Sequence, residues 1–139
     1  MPDVITTTDQ PTTTAQAPVT AAPRATDRIP SEVSLALGVA WFVCYTIGSA
    51  LEPQTSHPMP IIGVVLGVAL LVGILATAVG LVARRRWGLT ASLGSAVLLV
   101  ASAVACPTTG HHGFGLWWFG QMVVSMALVA ASVVALRRA

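Results

Sequence analysis

The sequence predicts an all-α integral membrane protein whose four transmembrane helices form an antiparallel up-down bundle. Only 9% of its 139 residues are charged and 55% are hydrophobic, whereas soluble domains carry about 25% charged residues. Four apolar segments are each long enough to cross a bilayer, for which a helix needs about 17–25 residues. The arginines cluster at the ends of these segments. These three observations together favour a small multi-pass membrane protein of one domain.

Residues 1–30 precede the first apolar segment and form a Thr- and Pro-rich stretch. Few of its side chains could build a core, so we expect a disordered N-terminal tail. It has no basic n-region, and we therefore do not expect a signal peptide. Residues 31–139 are predicted to form the transmembrane domain.

The first span is predicted over residues 33–51. Ser31 can cap the first N–H groups of a helix, and Glu32 complements the positive end of the helix dipole. Pro53, just after Glu52, ends the segment. A polar, proline-rich loop is expected to follow.

The second span is predicted over residues 60–83. Pro60 suits the first turn of a helix, where a missing N–H is tolerated. Three consecutive arginines, residues 84–86, end the apolar segment. We expect a tight turn at Trp87-Gly88 to reverse the chain.

The third span is predicted over residues 88–105 and the fourth over residues 116–136. Because proline lacks an N–H, we expect Cys106-Pro107 to end the third helix. Arg137 and Arg138 follow the fourth helix. The third is the shortest of the four predicted spans.

The arginines predict the orientation of the bundle. Four crossings place both termini and the 84–86 turn on one side, and the two opposite loops contain neither Lys nor Arg. The positive-inside rule then predicts that both termini are cytoplasmic, in the inner membrane of a cell. The arginines that determine this side are Arg24, Arg28, Arg84, Arg85, Arg86, Arg137 and Arg138.

Helices two to four each carry a repeat of mostly small or polar residues with alternating spacings of four and three. Such a repeat is typical of left-handed helix packing. In lipid, helices associate through close packing of small residues and interhelical hydrogen bonds. The predicted seams are Ala69, Gly73, Ala76, Gly80 and Ala83; Ala91, Ser95, Leu98, Ser102 and Ala105; and Gln121, Ser125, Leu128, Ser132 and Ala135. They could face one another or another protein.

A different spacing marks helix one and the start of helix two. Ala36, Ala40, Cys44 and Gly48 recur every four residues, and Gly63 and Gly67 form a GxxxG motif. Both patterns suit a closer, right-handed crossing. Gln121, the most polar residue deep in a span, is interpreted as a clip between helices, with a polar pathway as the alternative.

Several side chains that can bind metals lie in or beside the two loops opposite the arginines. Imidazole and thiol groups bind copper, zinc or haem, but the CxxC, HxxxH and HExxH spacings are absent. The preferred interpretation is polar loops with interfacial imidazoles, and no cofactor is expected. A metal site and pH sensing by histidine are alternatives. The candidate ligands are Glu52, His57, Met59, Cys106, His111 and His112.

Cys44 and Cys106 are the only two cysteines of the chain and form no CxxC pair. Two buried thiols are the simpler interpretation, since a disulfide needs Cα atoms within about 7 Å. A disulfide between them is the alternative.

The functional prediction depends mostly on absent features. No span carries a Lys, Arg, His or carboxylate away from its ends, although ion-coupled transporters usually have one. No catalytic triad, phosphate-binding loop or carboxylate pair is present, so we do not expect an enzyme. A net charge of +2 gives no reason to expect nucleic-acid binding.

We therefore predict an accessory or partner-binding component of the cytoplasmic membrane. Its expected partners are the lipid bilayer and either another membrane protein or a second copy of the chain. One alternative is a phage-related protein of the holin or superinfection-exclusion type. Another is a metal- or haem-handling protein that uses His57, His111 and His112.

Overall fold

The computed structural model describes residues 28–53, 60–110 and 113–139, which form four helices. Each helix is long and apolar enough to cross a membrane, which confirms the predicted all-α, four-span fold. The chain is therefore a multi-pass membrane protein. Residues 1–27, most of the predicted tail, lie outside the described residues. The helices are α1 (Ser31–Leu51), α2 (Ile61–Val82), α3 (Arg86–Thr108) and α4 (Leu116–Arg138).

The helix α3 is the most buried of the four helices. It packs against α2 on one side and α4 on the other, and α4 also packs against α1. The contact between α1 and α2 is slight, so the bundle is nearly open on that side. We call the end that carries residues 28, 84–86 and 137–138 the arginine end, and the opposite end the loop end.

The reversal between α2 and α3 comes earlier than predicted. The turn is centred on Arg84, which adopts a left-handed conformation with φ 54, and α3 already begins at Arg86. Trp87 and Gly88 therefore belong to the helix, and the predicted turn at these residues is wrong. The reason is a close crossing, because a Cβ atom added at Gly80 would overlap the backbone of Gly88.

The helix α3 also continues past the predicted stop at Cys106-Pro107 and ends at Thr108. Proline at position 107 removes the N–H that would bond the Ala103 carbonyl in a regular helix. The indole Nε1 of Trp118 donates a hydrogen bond to this carbonyl at 2.8 Å. The helix can thus include Pro107, because the Ala103 carbonyl still accepts a hydrogen bond.

Among the described residues, packing involves Ile29, which precedes the first helix. Ile29 is only 1% exposed, and its N–H donates to the Arg84 carbonyl at 2.9 Å. In return, Nε of Arg84 donates to the Ile29 carbonyl at 3.1 Å. The last residues of the predicted tail are thereby attached to the turn between α2 and α3.

Candidate functional site

Hydroxyl side chains join the helices in the half of the bundle nearest the arginine end. The indole Nε1 of Trp41 on α1 donates to Oγ of Ser92 on α3 at 2.8 Å. The Ser92 hydroxyl also lies 2.8 Å from Oγ of Ser132 on α4. All three side chains are buried, and buried polar groups in a bilayer need such partners. This chain of hydrogen bonds connects α1, α3 and α4.

Two further contacts attach α2. Oγ1 of Thr77 lies 3.3 Å from Oγ of Ser95 on α3, and Gly73 leaves room for the Ser95 hydroxyl because a Cβ there would overlap it. Oγ of Ser34 on α1 donates to the Leu81 carbonyl of α2 at 2.6 Å. Hydrogen bonds therefore close this half of the bundle, including the side between α1 and α2.

The predicted seam of α4 lies mostly on its buried face. Ser125, Leu128, Ser132 and Ala135 are the buried residues of this helix, and Gln121 is half-buried. On α2, Gly80 is buried with Thr77 and Leu81, whereas Gly73 and Ala76 are half-buried and Ala83 is exposed.

The buried face of α3 differs from its predicted seam. Ser95 is buried, but Ala91, Leu98, Ser102 and Ala105 are only half-buried. Because α3 contacts helices on two sides, its buried face is wider than a single seam. Sequence reasoning missed Ser92, the central residue of the hydrogen-bonded chain. The pattern that could have identified it is the row of small residues on α3 that begins at Gly88. The buried residues are Gly88, Leu89, Ser92, Ser95, Ala96, Leu99 and Ala103.

The four-residue stripe of α1 and the GxxxG motif of α2 are not the most buried parts of their helices. On α1, Leu37 and Trp41 are buried, whereas Ala36 is exposed and Cys44 is half-buried. On α2, a Cβ atom added at Gly67 would have no atom of the described structure within 4 Å. The Gly67 surface is thus left without a neighbouring helix.

Towards the loop end, α1 and α2 separate and leave a cavity of about 420 Å³, which we call the cleft. All four helices contribute to its walls. The α2 wall is aliphatic, with Leu66, Leu70 and Ile74. Polar groups on the other walls include Ser49, Ser102, Gln121 and, at the mouth, Glu52. A mostly apolar cavity with a few polar groups is the usual form of a small-molecule site.

Several residues chosen from the sequence line this cleft: Glu52, Gly63, Gly67, Ser102, Cys106 and Gln121. The Gln121 side chain faces α1, because a Cβ atom added at Gly48 would lie 2.6 Å from its Oε1. The thiol of Cys106 and that of Cys44 are both free and line the same cavity. The cleft therefore contains both cysteines of the chain as unpaired thiols.

The metal hypothesis is not tested by this structure. His57, His111 and His112 lie outside the described residues, and so does Met59. Among the residues that are described, no group of three His, Cys, Asp or Glu side chains could hold a metal ion. The hypothesis that uses the three histidines therefore stays a prediction.

The arginines of the described segments all lie at one end of the bundle, as the alternation of the four helices requires. Arg84 holds Ile29 as described above, and Arg28 pairs with Arg85 through an isolated antiparallel bridge. Arg86 starts α3, and Arg137 and Arg138 lie in the last turn of α4. The loop end of the described chain has Glu52 as its formally charged side chain.

No protein family matches this sequence, and no curated protein and no solved structure is significantly similar to it.

Proposed function

We propose that the chain is a non-catalytic accessory protein of the cytoplasmic membrane that binds a transmembrane helix of a partner protein against α2. The observation that supports this proposal is the unused GxxxG motif. Gly67 has no atom of the described bundle near the position of a side chain. An unfilled glycine surface on a spanning helix allows the backbone of another helix to approach closely.

The neighbouring surface of α2 suits such a contact. Val64, Val68 and Leu71 are each at least half exposed, at 50%, 58% and 58%. They can pack beside the backbone of a helix that crosses at Gly67. Because burial from lipid supplies little energy, shape complementarity of this kind is the main determinant of association in a membrane.

The partner interaction is tested with Gly67→Leu and a matched control, Gly94→Leu. Gly94 lies on α3 and also has no atom within 4 Å of an added Cβ, so both variants should keep the fold. We expect a partner of fixed stoichiometry to co-purify in mild detergent with the wild type and Gly94→Leu. Gly67→Leu should lose it.

Two results would contradict the proposal. The protein could be isolated from its native membrane as a lone monomer, without a partner in crosslinked samples. Alternatively, a partner could be retained equally by both leucine variants, which would place the contact elsewhere on the bundle.

We propose in addition that the arginine end faces the cytoplasm, as the positive-inside rule predicts. In a protein without its two native cysteines, Ala139→Cys places a thiol at the arginine end and Thr109→Cys places one at the loop end. A membrane-impermeant maleimide added to intact cells should label the second variant and spare the first. The reverse pattern would establish the opposite orientation.

A further inference from the structure

We propose that Arg28 and Arg85 together bind the phosphate of an anionic phospholipid at the arginine end of the bundle. These residues are far apart in the sequence and meet through the isolated antiparallel bridge. The inference goes beyond the binding of a partner helix at Gly67, because it concerns a lipid head group and a different part of the molecule.

The backbone places the two arginine side chains next to each other. The hydrogen bond from the Ile29 N–H to the Arg84 carbonyl flanks the bridge between Arg28 and Arg85. Opposite residues of this kind point to the same side of an antiparallel pair, with Cβ atoms roughly 4.5–5.5 Å apart. Because Ile29 is buried, the bridge is attached to the core. Two guanidinium groups therefore extend from neighbouring positions.

This juxtaposition favours the binding of an anion, since like charges directly opposite each other are destabilising. The described segments contain two acidic residues, Glu32 and Glu52. Glu52 lies at the loop end, and the Glu32 carboxylate accepts a hydrogen bond from Oγ of Ser31 at 3.4 Å. Within the described chain, no carboxylate forms an ion pair with either arginine of the bridge. An external anion would therefore relieve the repulsion between the two guanidinium groups.

A phosphate suits this pair of side chains. A guanidinium group can donate two parallel hydrogen bonds to phosphate oxygens. Arg85 immediately precedes α3, so the positive end of that helix dipole strengthens the attraction for an anion. Nε of Arg84 already donates to the Ile29 carbonyl. The site is therefore assigned to Arg28 and Arg85 rather than to Arg84.

The position of the bridge favours a lipid head group over a soluble phosphate. Val82, near the end of α2, is 85% exposed, and Trp87, near the start of α3, is 47% exposed. In a membrane-spanning protein, an exposed tryptophan beside the charged end of a span lies at the level of the head groups. Arg85 lies between these two residues in the chain, at the depth where phospholipid phosphates are found.

The experiment titrates the full chain, purified in a neutral detergent, with dioleoyl phosphatidylglycerol and counts bound lipids by native mass spectrometry. We expect one lipid to bind at a half-saturating concentration about tenfold lower than that of dioleoyl phosphatidylcholine, whose choline offsets its phosphate. The double variant Arg28→Gln, Arg85→Gln should raise the value for phosphatidylglycerol by about tenfold. Inorganic phosphate at the same concentration should not displace the lipid.

The double variant Arg137→Gln, Arg138→Gln is the matched control. It removes the same charge from the same end of the bundle, but from the last turn of α4. At physiological ionic strength it should bind phosphatidylglycerol within about twofold of the wild type, because distant exposed charges are screened. Gly67→Leu should also retain the lipid, which separates this proposal from that of the partner helix.

Thermal stability provides a second readout. In detergent alone, Arg85→Gln should be at least as stable as the wild type, because it removes the repulsion with Arg28. Added phosphatidylglycerol should raise the unfolding midpoint of the wild type more than that of the variant, since a ligand stabilises the state that binds it. An equal rise in both proteins would contradict the assignment of the site.

Four other results would each overturn the proposal. They are equal affinity for the two lipids, an equal loss of affinity in both double variants, displacement by inorganic phosphate, and absence of bound lipid in the wild type. Binding that appears only in Asp27→Asn would also overturn it, because the carboxylate that precedes Arg28 in the sequence would then be the group that neutralises the pair.

Discussion

The indole of Trp118 donates its hydrogen bond to Ala103, the carbonyl whose regular helical donor is absent because residue 107 is proline. Phe114 packs edge-on against the Trp118 ring, with the centroids 5.3 Å apart and the planes at 79°. A residue of α4 therefore completes the backbone hydrogen bonding of α3. This contact attaches the two helices at the loop end.

Trp118→Phe should destabilise the protein by about 1 kcal/mol, because the Ala103 carbonyl loses its donor. In a Pro107→Ala background the same change should matter less, since alanine restores the backbone N–H. A double-mutant cycle, measured by unfolding in mixed micelles, gives the coupling between the two positions.

Trp117→Phe is the control for this cycle. In the wild type, Nε1 of Trp117 donates to the Gly113 carbonyl within the same segment. Pro107→Ala should therefore leave the effect of Trp117→Phe on stability unchanged. A Trp118→Phe penalty of the same size with and without Pro107 would contradict our explanation of how α3 passes the proline.

The hydroxyl chain predicts an order of effects among serine-to-alanine variants. Ser92→Ala removes the partner of both Trp41 and Ser132, so it should cost about 1–3 kcal/mol. Ser132→Ala should cost less, because the bond between Trp41 and Ser92 remains. The free energy of unfolding of each variant measures this order.

Ser102→Ala is the matched control, since its hydroxyl bonds only to its own helix among the described contacts. It should change stability by less than about 0.5 kcal/mol. If Ser102→Ala is as destabilising as Ser92→Ala, the hydrogen bonds between helices are not what stabilises the arginine half.

The close crossing of α2 and α3 predicts opposite effects for two glycine-to-alanine substitutions. Gly80→Ala should destabilise by about 1–3 kcal/mol, because its methyl group would overlap the backbone at Gly88. Gly94→Ala has open space around it and should stabilise by about 0.5–1 kcal/mol through helix propensity. Thermal unfolding of the purified proteins would compare the stability of the two variants. Equal effects on stability would contradict the close approach of α2 and α3 at Gly80.

Attachment of the segment before α1 is tested by two isoleucine variants. Ile29 is 1% exposed and Ile61 is 83% exposed. Ile29→Ala should destabilise by about 2–4 kcal/mol, whereas Ile61→Ala should stay within about 0.5 kcal/mol of the wild type. Unfolding midpoints provide the comparison. If the two variants were equally stable, Ile29 would not contribute to the core.

The number of helices and their approximate ends could be predicted from the sequence because charge is costly inside a bilayer. Gaps between charged residues therefore mark spans directly. The turn at Arg84 could not be predicted in this way, since it depends on the contact between Gly80 and Gly88. Likewise, the continuation of α3 past Pro107 depends on a side chain of α4.

The pairing of helices was harder to predict than their positions. Each helix carries apolar residues on all of its faces. Hydropathy therefore does not distinguish the faces that contact lipid from those that contact protein. The spacing of small residues located Ser95 and Ser132 but did not identify Ser92. The cleft could not be predicted, because it arises from the separation of α1 and α2, although four of its lining residues are candidates from the sequence: Gly63, Gly67, Ser102 and Gln121.

The order of contacts around the bundle has a consequence for biosynthesis. The tightly crossed pair α2 and α3 consists of consecutive helices, so it can assemble as soon as both have entered the membrane. By contrast, α1 precedes the other three helices in the chain but has its more extensive contact with α4, which follows them. Until α4 has entered the membrane, α1 must stay in the bilayer without its principal neighbour.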